Sequence, residues 1–147
     1  MMMMAFSERE QVVEVLNRLF HYTDHRKWDG LVHEVFAEEV HMDMTSLGAP
    51  EAELMKAQEI CDMWRAGFEG LDAIHHQPGG YMIDLNGDKA EAKCYAIASH
   101  YQAEATKGQT REFVGSYDFK LQKNATGWRI TFMKYKLKYT RGNMTLE

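Results

Sequence analysis

The chain has 147 residues, which suffices for one domain with a sizeable core, and its 45% hydrophobic and 27% charged composition is typical of a globular protein. The net charge of -5 argues against nucleic acid or an anionic membrane as a partner, because proteins that bind these usually present a basic face. No apolar run approaches the roughly 18 residues of a membrane span. The start, MMMMAFSERE, also lacks the features of a signal peptide. We therefore expect a cytoplasmic protein with a disordered N-terminus over 1–6, one domain over 7–140 and a C-terminal tail over 141–147.

The first part of the chain has the pattern of helices. Ser7 and Glu10 can form a capping box, in which each side chain accepts a hydrogen bond from the other residue's backbone N–H. Apolar residues then recur at three- and four-residue spacing. This spacing predicts a helix with an inner stripe at Val12, Val13, Leu16, Leu19, Phe20 and Thr23. A second, short helix is predicted over 27–36, with an inner face at Trp28, Leu31, Val32 and Val35.

A strand and a third helix are predicted before the middle of the chain. Residues 38–46 alternate in hydrophobicity, which places Val40, Met42 and Met44 on one face of a strand. Pro50 is tolerated in the first turn of a helix, so a third helix is predicted from Pro50 to about Ala66, ended by Gly67.

From Ile74 onward the pattern changes to the two-residue period of strands. The turn signals at 86–88 (Asn-Gly-Asp) and 124–127 separate four long strands that form an antiparallel meander. The fold class is therefore α+β. We expect a cone in which three N-terminal helices pack on a strongly curved, mainly antiparallel sheet and enclose a pocket.

Alternation also sorts the side chains that could line this pocket. A row of small residues ending in an imidazole shares one face of the strand that follows the first turn: Ala92, Cys94, Ala96, Ala98 and His100. On the preceding strand, His75 and His76 must point to opposite faces, so only one of them can face the pocket. The Pro-Gly-Gly sequence at 78–80 predicts a bulge, beyond which the facing of the strand is uncertain.

Asp24, at the end of the first helix, is the candidate partner for the inward histidine. A carboxylate that accepts a hydrogen bond from one imidazole nitrogen fixes the tautomer and leaves the other nitrogen as a proton acceptor, which is the minimum equipment of a general base. From the residues alone, a structural alternative stays open. The histidine can be a satisfied structural residue, and Asp24 can cap the second helix.

At this point the sequence resembles a known family. The segments "YTDHRKWDGL", "FAEEVHMDMTS", "IHHQPGG", "GSYDFKLQ" and "GWRI", in this order, are similar to the SnoaL-like branch of the nuclear-transport-factor-2-like (NTF2-like) superfamily. Within that branch the chain most resembles scytalone dehydratase and the hexachlorocyclohexane dehydrochlorinase. The resemblance covers about 8–139. It implies the cone-shaped fold and a lyase chemistry that uses an aspartate–histidine dyad.

The resemblance also implies roles for individual residues. Asp24 falls on the dyad carboxylate, His75 falls on the dyad histidine when the chain is aligned without gaps to the turn at 86–88, and His100 falls on a second active-site histidine. The predicted substrate-binding residues are Tyr22, Thr23, Met44, Tyr81, Cys94, Ala96, Tyr117 and Phe119.

Several positions depart from the dehydratase pattern. Thr23 and Met44 stand where scytalone dehydratase carries the two tyrosines that hold a water on the substrate carbonyl. Gly115 and Tyr117 stand at its polar pair, which makes Tyr117 a candidate replacement donor. Scytalone itself is therefore not the expected substrate.

The resulting hypothesis is a cofactor-independent lyase or isomerase, dehydratase-like, that acts on a small hydrophobic, cyclic or polyketide-like molecule. No metal is expected, because His21 and His25 have the i, i+4 spacing of zinc ligands but no further ligand is placed near them. The alternative is a non-catalytic ligand-binding protein or an accessory subunit resembling the small subunit of ring-hydroxylating dioxygenases. An exposed sheet face with Tyr95, Ile97 and Tyr101 predicts a homodimer or homotrimer.

Overall fold

The computed structural model describes residues 5–147, in which three helices lie on one face of a six-stranded sheet. Residues 1–4 of the predicted disordered N-terminus lie outside the described part of the chain. The helical elements are α1 (Glu8–Asp24), α2 (Trp28–Gly30), which continues as a π-helical turn (Leu31–Val35), a 3₁₀ turn (Thr45–Leu47) and α3 (Ala57–Gly67). The strands are β1 (Phe36–Asp43), β2 (Glu53–Lys56), β3 (Ala73–Asn86), β4 (Lys89–Tyr101), β5 (Thr110–Asn124) and β6 (Gly127–Gly142).

The sheet has the strand order β2-β1-β6-β5-β4-β3 and is antiparallel except between β1 and β6. The predicted α+β class, with helices on a mainly antiparallel sheet, is confirmed. The sheet does not close into a barrel, and β2 and β3 form its edges.

Helix α1 begins and packs as its sequence pattern predicts. The backbone N–H of Glu10 donates to Ser7 Oγ at 3.1 Å, and the backbone N–H of Ser7 donates to Glu10 Oε1 at 3.0 Å. These two bonds satisfy N–H groups that have no partner within the helix. The buried stripe is Val12, Val15, Leu16, Leu19, Phe20 and Thr23. Val13, predicted to face inward, is only half-buried, and Val15 takes its place in the core.

The third helix begins later than its sequence predicts. Its first residue is Ala57, not Pro50, and the residues Glu53–Lys56 form the edge strand β2, which pairs antiparallel with β1. The start is capped by Glu59, whose Oε1 accepts a hydrogen bond of 3.2 Å from the backbone N–H of Lys56. Of the predicted inner residues of the second helix, Trp28, Leu31 and Val35 are buried, whereas Val32 is half-buried.

Strand β3 contains the predicted irregularity. Its pairing with β4 shifts register between Gly79 and Met82, and Gly80 has a φ of 67°, a left-handed conformation that glycine adopts without strain. The face predicted for β4 is confirmed, because Ala92, Cys94, Ala96, Ala98 and His100 are all buried. Because the bulge inserts one residue into β3, it determines which β3 side chains lie on the same inner face of the sheet.

The C-terminal residues are not a free tail. Strand β6 runs to Gly142, the backbone N–H of Asn143 donates to the carbonyl of Thr110 at 2.9 Å, and Leu146 is buried. The segment 143–147 therefore packs against the loop before β5, beyond the predicted domain end at residue 140.

The outer face of the sheet carries exposed aromatic side chains. Tyr95 is 61% exposed, Tyr101 is 37% exposed, and the Lys138 ammonium lies over the Tyr95 ring at 4.6 Å from its centroid. Assembly through this face stays a prediction. No helix formed by residues 5–147 has the length and apolar composition needed to cross a membrane.

Candidate active site

A cavity of about 240 Å³ lies between α1, α3 and the inner face of the sheet. Its wall is mostly apolar and aromatic, with two histidines among the polar side chains. Among the described residues that line it, none is Asp, Glu, Lys or Arg. The lining residues are Leu19, Phe20, Thr23, Met44, Leu47, Trp64, Phe68, His76, Ala98, His100, Phe113, Tyr117, Met133 and Tyr135.

His76 lines this cavity, and Asp24 is its hydrogen-bond partner behind the wall. The His76 ring Nδ1 lies 2.5 Å from Asp24 Oδ1, and the backbone N–H of His76 donates to Asp24 Oδ2 at 2.8 Å. Both carboxylate oxygens are thus used by one residue, and the two side chains are only about 10% exposed. Because Nδ1 faces the carboxylate, Nε2 is the ring nitrogen that remains available to a ligand in the cavity.

The predicted pairing of Asp24 with His75 is wrong. His75 is exposed on the opposite face of β3, where its Nε2 lies 3.0 Å from Gln77 Oε1. The cause is the bulge in β3, which adds one residue between the turn at 86–88 and the histidines. An ungapped count from that turn therefore assigns the inward position to the wrong neighbour, and His76 lies opposite the buried Ala98.

His100 lies at the same cavity and is held by Arg111. The two residues are directly opposite each other on β4 and β5, and Arg111 Nε donates to His100 Nδ1 at 3.0 Å. Arg111 Nη1 also donates to the carbonyl of Met144 at 3.1 Å, which fixes the guanidinium from the C-terminal segment. Since a guanidinium has no acceptor, His100 Nδ1 must be unprotonated. The proton of the neutral ring is therefore on Nε2.

The electrostatic surroundings keep His100 in this neutral form. Burial, the positive charge of Arg111 and the nearby His76 lower the pKa of His100 to about 4. When both rings are neutral, the cavity holds two imidazoles with opposite hydrogen-bonding capacity. His76 offers an acceptor nitrogen oriented by Asp24, and His100 offers a donor N–H oriented by Arg111.

The low pKa of His100 predicts a specific pH dependence of stability. The folded-state pKa of about 4 lies below the ordinary histidine value of about 6.5. The unfolded chain therefore binds the proton first, and the contribution of this group is present above about pH 6.5 and lost as the pH falls toward 4. We expect the wild-type free energy of unfolding to fall by on the order of 2–3 kcal/mol more than that of His100→Gln over this range. Urea unfolding of both proteins at a series of pH values measures the difference, and a difference independent of pH would contradict the assignment.

Three of the residues predicted to bind substrate line the cavity: Thr23, Met44 and Tyr117. Five do not. The Tyr22 ring lies over Gly30 on the outside of α1, and the Tyr81 hydroxyl donates to Asn17 Oδ1 at 2.5 Å. Cys94, Ala96 and Phe119 belong to the buried core on the inner face of the sheet. The prediction that Tyr22 and Tyr81 bind substrate is therefore wrong, and both residues have structural contacts outside the cavity.

The cavity also contains residues that the sequence did not indicate. Trp64 of α3, Phe68 directly after α3 and Phe113 of β5 form much of its aromatic wall. Tyr135 of β6 lies beside Tyr117, with 4.7 Å between the ring centroids. Arg111 was missed because its position opposite His100 depends on the length of the loop 102–109, which carries no register signal. The alternation of β6 was the only signal that could have placed Tyr135 on the inner face.

The two histidines with zinc-ligand spacing lie at the C-terminal end of α1, where they contact each other. The rings of His21 and His25 stack with 6.4 Å between their centroids, and His25 Nδ1 lies 2.8 Å from the carbonyl of His21. Within residues 5–147, no group of three or more His, Cys, Asp or Glu side chains is arranged to bind a metal ion.

Solved structures with the same fold come from several proteins. The Kfla4162 protein from Kribbella flavida is 23% identical, with 95% of each chain covered and a TM-score of 0.89. A protein from Novosphingobium aromaticivorans provisionally named a scytalone dehydratase is 13% identical, covers 92% of this chain and 87% of its own, and has a TM-score of 0.78. The hexachlorocyclohexane dehydrochlorinase LinA-type3 from Novosphingobium barchaimii is 9% identical, with 92% and 89% covered and a TM-score of 0.74. At these identities the similarity shows the fold alone.

No curated protein sequence matches the chain. The sequence profile of the SnoaL-like domain, in contrast, matches residues 4–134, which is most of the chain. The chain therefore belongs to the SnoaL-like domain family and has the fold of the NTF2-like superfamily.

Proposed function

We propose that the protein is a cofactor-independent lyase or isomerase that removes a proton from an activated carbon of a small, neutral, ring-containing molecule. The observation that carries the proposal is that His76, bonded to Asp24, lines an apolar cavity that His100 also lines. Structures of a provisionally named scytalone dehydratase and of a dehydrochlorinase share this fold, which makes a lyase role plausible.

The proposed reaction begins at His76. Its Nε2 accepts a proton from the carbon next to a carbonyl group, and the electron pair of that C–H bond moves onto the carbonyl oxygen. Asp24 stabilises the imidazolium that forms, because its carboxylate already accepts the Nδ1–H bond. A positioned base of this kind contributes about 10²–10⁴-fold to a rate.

His100 supplies the second part of the reaction. Its Nε2–H donates a hydrogen bond to the oxygen that gains negative charge, which contributes roughly another 10²–10³-fold when the donor is preorganised. In an elimination, the enolate expels a leaving group from the neighbouring carbon, which departs with its bonding electron pair and takes the proton from His76. In an isomerisation, the enolate takes the proton back from His76 at another carbon. These magnitudes suffice for carbon acids next to a carbonyl but not for unactivated carbon.

The cavity limits the size and charge of the substrate. A cavity of about 150 Å³ holds benzene, so by proportion the 240 Å³ found here corresponds to about ten non-hydrogen atoms. The wall carries no charged side chain among the described residues. The ligand that fits is therefore a neutral one- or two-ring compound.

The experiment that tests this function is deuterium exchange into 1-indanone, a neutral bicyclic ketone of this size. We expect the wild-type protein in deuterium oxide to catalyse exchange at the carbon next to the carbonyl, followed by mass spectrometry, well above the rate with the same concentration of free imidazole. Binding of the ketone without exchange would favour the ligand-binding alternative, and the absence of both would favour the accessory-subunit alternative.

A further inference from the structure

The hydroxyl of Tyr135 is buried and has no hydrogen-bond partner within the described chain. Buried side-chain oxygens in native proteins are normally hydrogen-bonded, so an exception at the wall of a cavity points to a partner that binds there. Burial raises the pKa of Tyr135 to about 12, so the hydroxyl keeps its proton at neutral pH and can donate it.

Gly115 makes the position of this hydroxyl possible. Tyr135 is paired with Tyr117 across β5 and β6, but its side chain leans toward Gly115, where a Cβ atom would come within 2.7 Å of the Tyr135 oxygen. The hydroxyl thus lies in the space that a side chain at position 115 would fill. The hydroxyl group of a β6 residue therefore lies beside the backbone of β5.

Apart from the Tyr117 hydroxyl and the Trp64 indole N–H, the other polar side-chain atoms of the cavity wall are already hydrogen-bonded or have a role in the proposed reaction. Thr23 Oγ1 donates to the carbonyl of Leu19 at 2.6 Å within α1. The Nδ1 atoms of His76 and His100 are bonded to Asp24 and Arg111. The Nε2 atoms of the two histidines have roles in the proposed reaction. The Tyr135 hydroxyl is therefore a donor that the reaction itself does not use.

The register of the sheet spaces these groups along the cavity. His76 lies opposite Ala98, and Gly115 lies opposite Ala96, so His100, His76 and Gly115 follow one another at intervals of two residues of β4. His100 and Ala96 are four residues apart, which is about 13 Å at roughly 3.3 Å per residue. Along the strand, His76 thus lies between His100 at one end and the Gly115 position, where the Tyr135 hydroxyl lies, at the other.

We propose that the Tyr135 hydroxyl binds a second oxygen atom of the substrate, at the end of the ring system away from His100. The substrate class is then a neutral one- or two-ring carbonyl compound with a further hydroxyl or carbonyl group at its opposite end. This inference rests on the proposed function in that it assigns the second end of the same cavity, while its test measures binding and not turnover.

The test compares the affinities of two probes, 1-indanone and 5-hydroxy-1-indanone, which differ by one hydroxyl group at the end of the ring system away from the carbonyl. Isothermal titration calorimetry of the wild-type protein should show that the hydroxylated probe binds roughly 5–10-fold more tightly, the value of one neutral hydrogen bond. In Tyr135→Phe this preference should disappear, while the affinity for 1-indanone stays near the wild-type value. The thermal midpoint of Tyr135→Phe should equal or exceed that of the wild type, because no bond within the protein is lost.

Two matched variants complete the design. Tyr139→Phe changes an exposed tyrosine of the same strand and should keep the preference. Tyr117→Phe removes the neighbouring hydroxyl, and a preference lost there but kept in Tyr135→Phe would overturn the proposal. A wild-type protein that does not distinguish the probes, or a lower thermal midpoint of Tyr135→Phe, would also overturn it. Failure of deuterium exchange with the binding preference intact would instead count against the proposed base.

Discussion

Replacing His76 by Gln lowers the rate of deuterium exchange into 1-indanone by about 10²–10⁴-fold, the contribution of a positioned general base. The glutamine side chain has no nitrogen that accepts a proton, while the backbone N–H of residue 76 can still donate to Asp24. The fold is therefore kept as the base is removed. The measurement is the initial rate of deuterium incorporation at equal concentrations of folded protein.

The neighbouring histidine is the matched control for this prediction. His75→Gln makes the same chemical change one residue earlier, on the exposed face of β3. Its exchange rate should stay near the wild-type value. A loss of exchange in His75→Gln with retention in His76→Gln would contradict the assignment of the inward histidine.

Replacing Asp24 by Asn lowers the same rate by about 10²–10⁴-fold through the tautomer of His76. Asp24 now accepts two hydrogen bonds from His76, one at each carboxylate oxygen. An asparagine has one carbonyl oxygen. When that oxygen accepts the backbone N–H, the amide NH₂ faces Nδ1 and donates to it. The ring proton then moves to Nε2, and the nitrogen that faces the cavity can no longer accept a proton.

Asp118→Asn is the control for the change of charge. Asp118 pairs with Lys93 and Lys136 on the sheet and does not line the cavity. We expect it to leave the exchange rate unchanged. An Asp24→Asn protein that retains the wild-type rate would show that the carboxylate does not set the state of His76.

The fold could be predicted from the sequence because its elements carry strong periodic patterns. The capping box at Ser7, the small-residue face of β4 and the hairpin turn at 86–88 each have one physical interpretation. The short edge strand β2 was missed because four residues after a proline fit a helix start as well as a strand. Its pairing with β1 decides between the two, and that contact is not local in the sequence.

The site could be predicted only in part, for a reason of register. His100 lines the cavity, and Asp24 is bonded to a histidine that lines it, but that histidine is His76 and not the predicted His75. The alternation of a strand assigns faces only until a bulge inserts a residue. The Pro-Gly-Gly sequence at 78–80 signalled the bulge without giving the residue at which it occurs.

The contributions of Arg111 and Tyr135 depend on contacts between strands. Arg111 reaches His100 because the two face each other across β4 and β5. The Tyr135 side chain extends across to β5, and its hydroxyl lies next to Gly115. Neither residue belongs to a local motif, so only the assembled sheet indicates what they do.

The most direct test of the account is the tautomeric state of the two cavity histidines, read from the ring ¹⁵N chemical shifts of labelled protein. The spectra are recorded at a pH at which the shifts show both rings to be neutral, so that the position of each proton can be assigned. We predict that His76 carries its proton on Nδ1 and His100 on Nε2, and that Asp24→Asn moves the His76 proton to Nε2. A wild-type His76 protonated on Nε2 would contradict the account, because no nitrogen would then be free to accept a proton from the substrate.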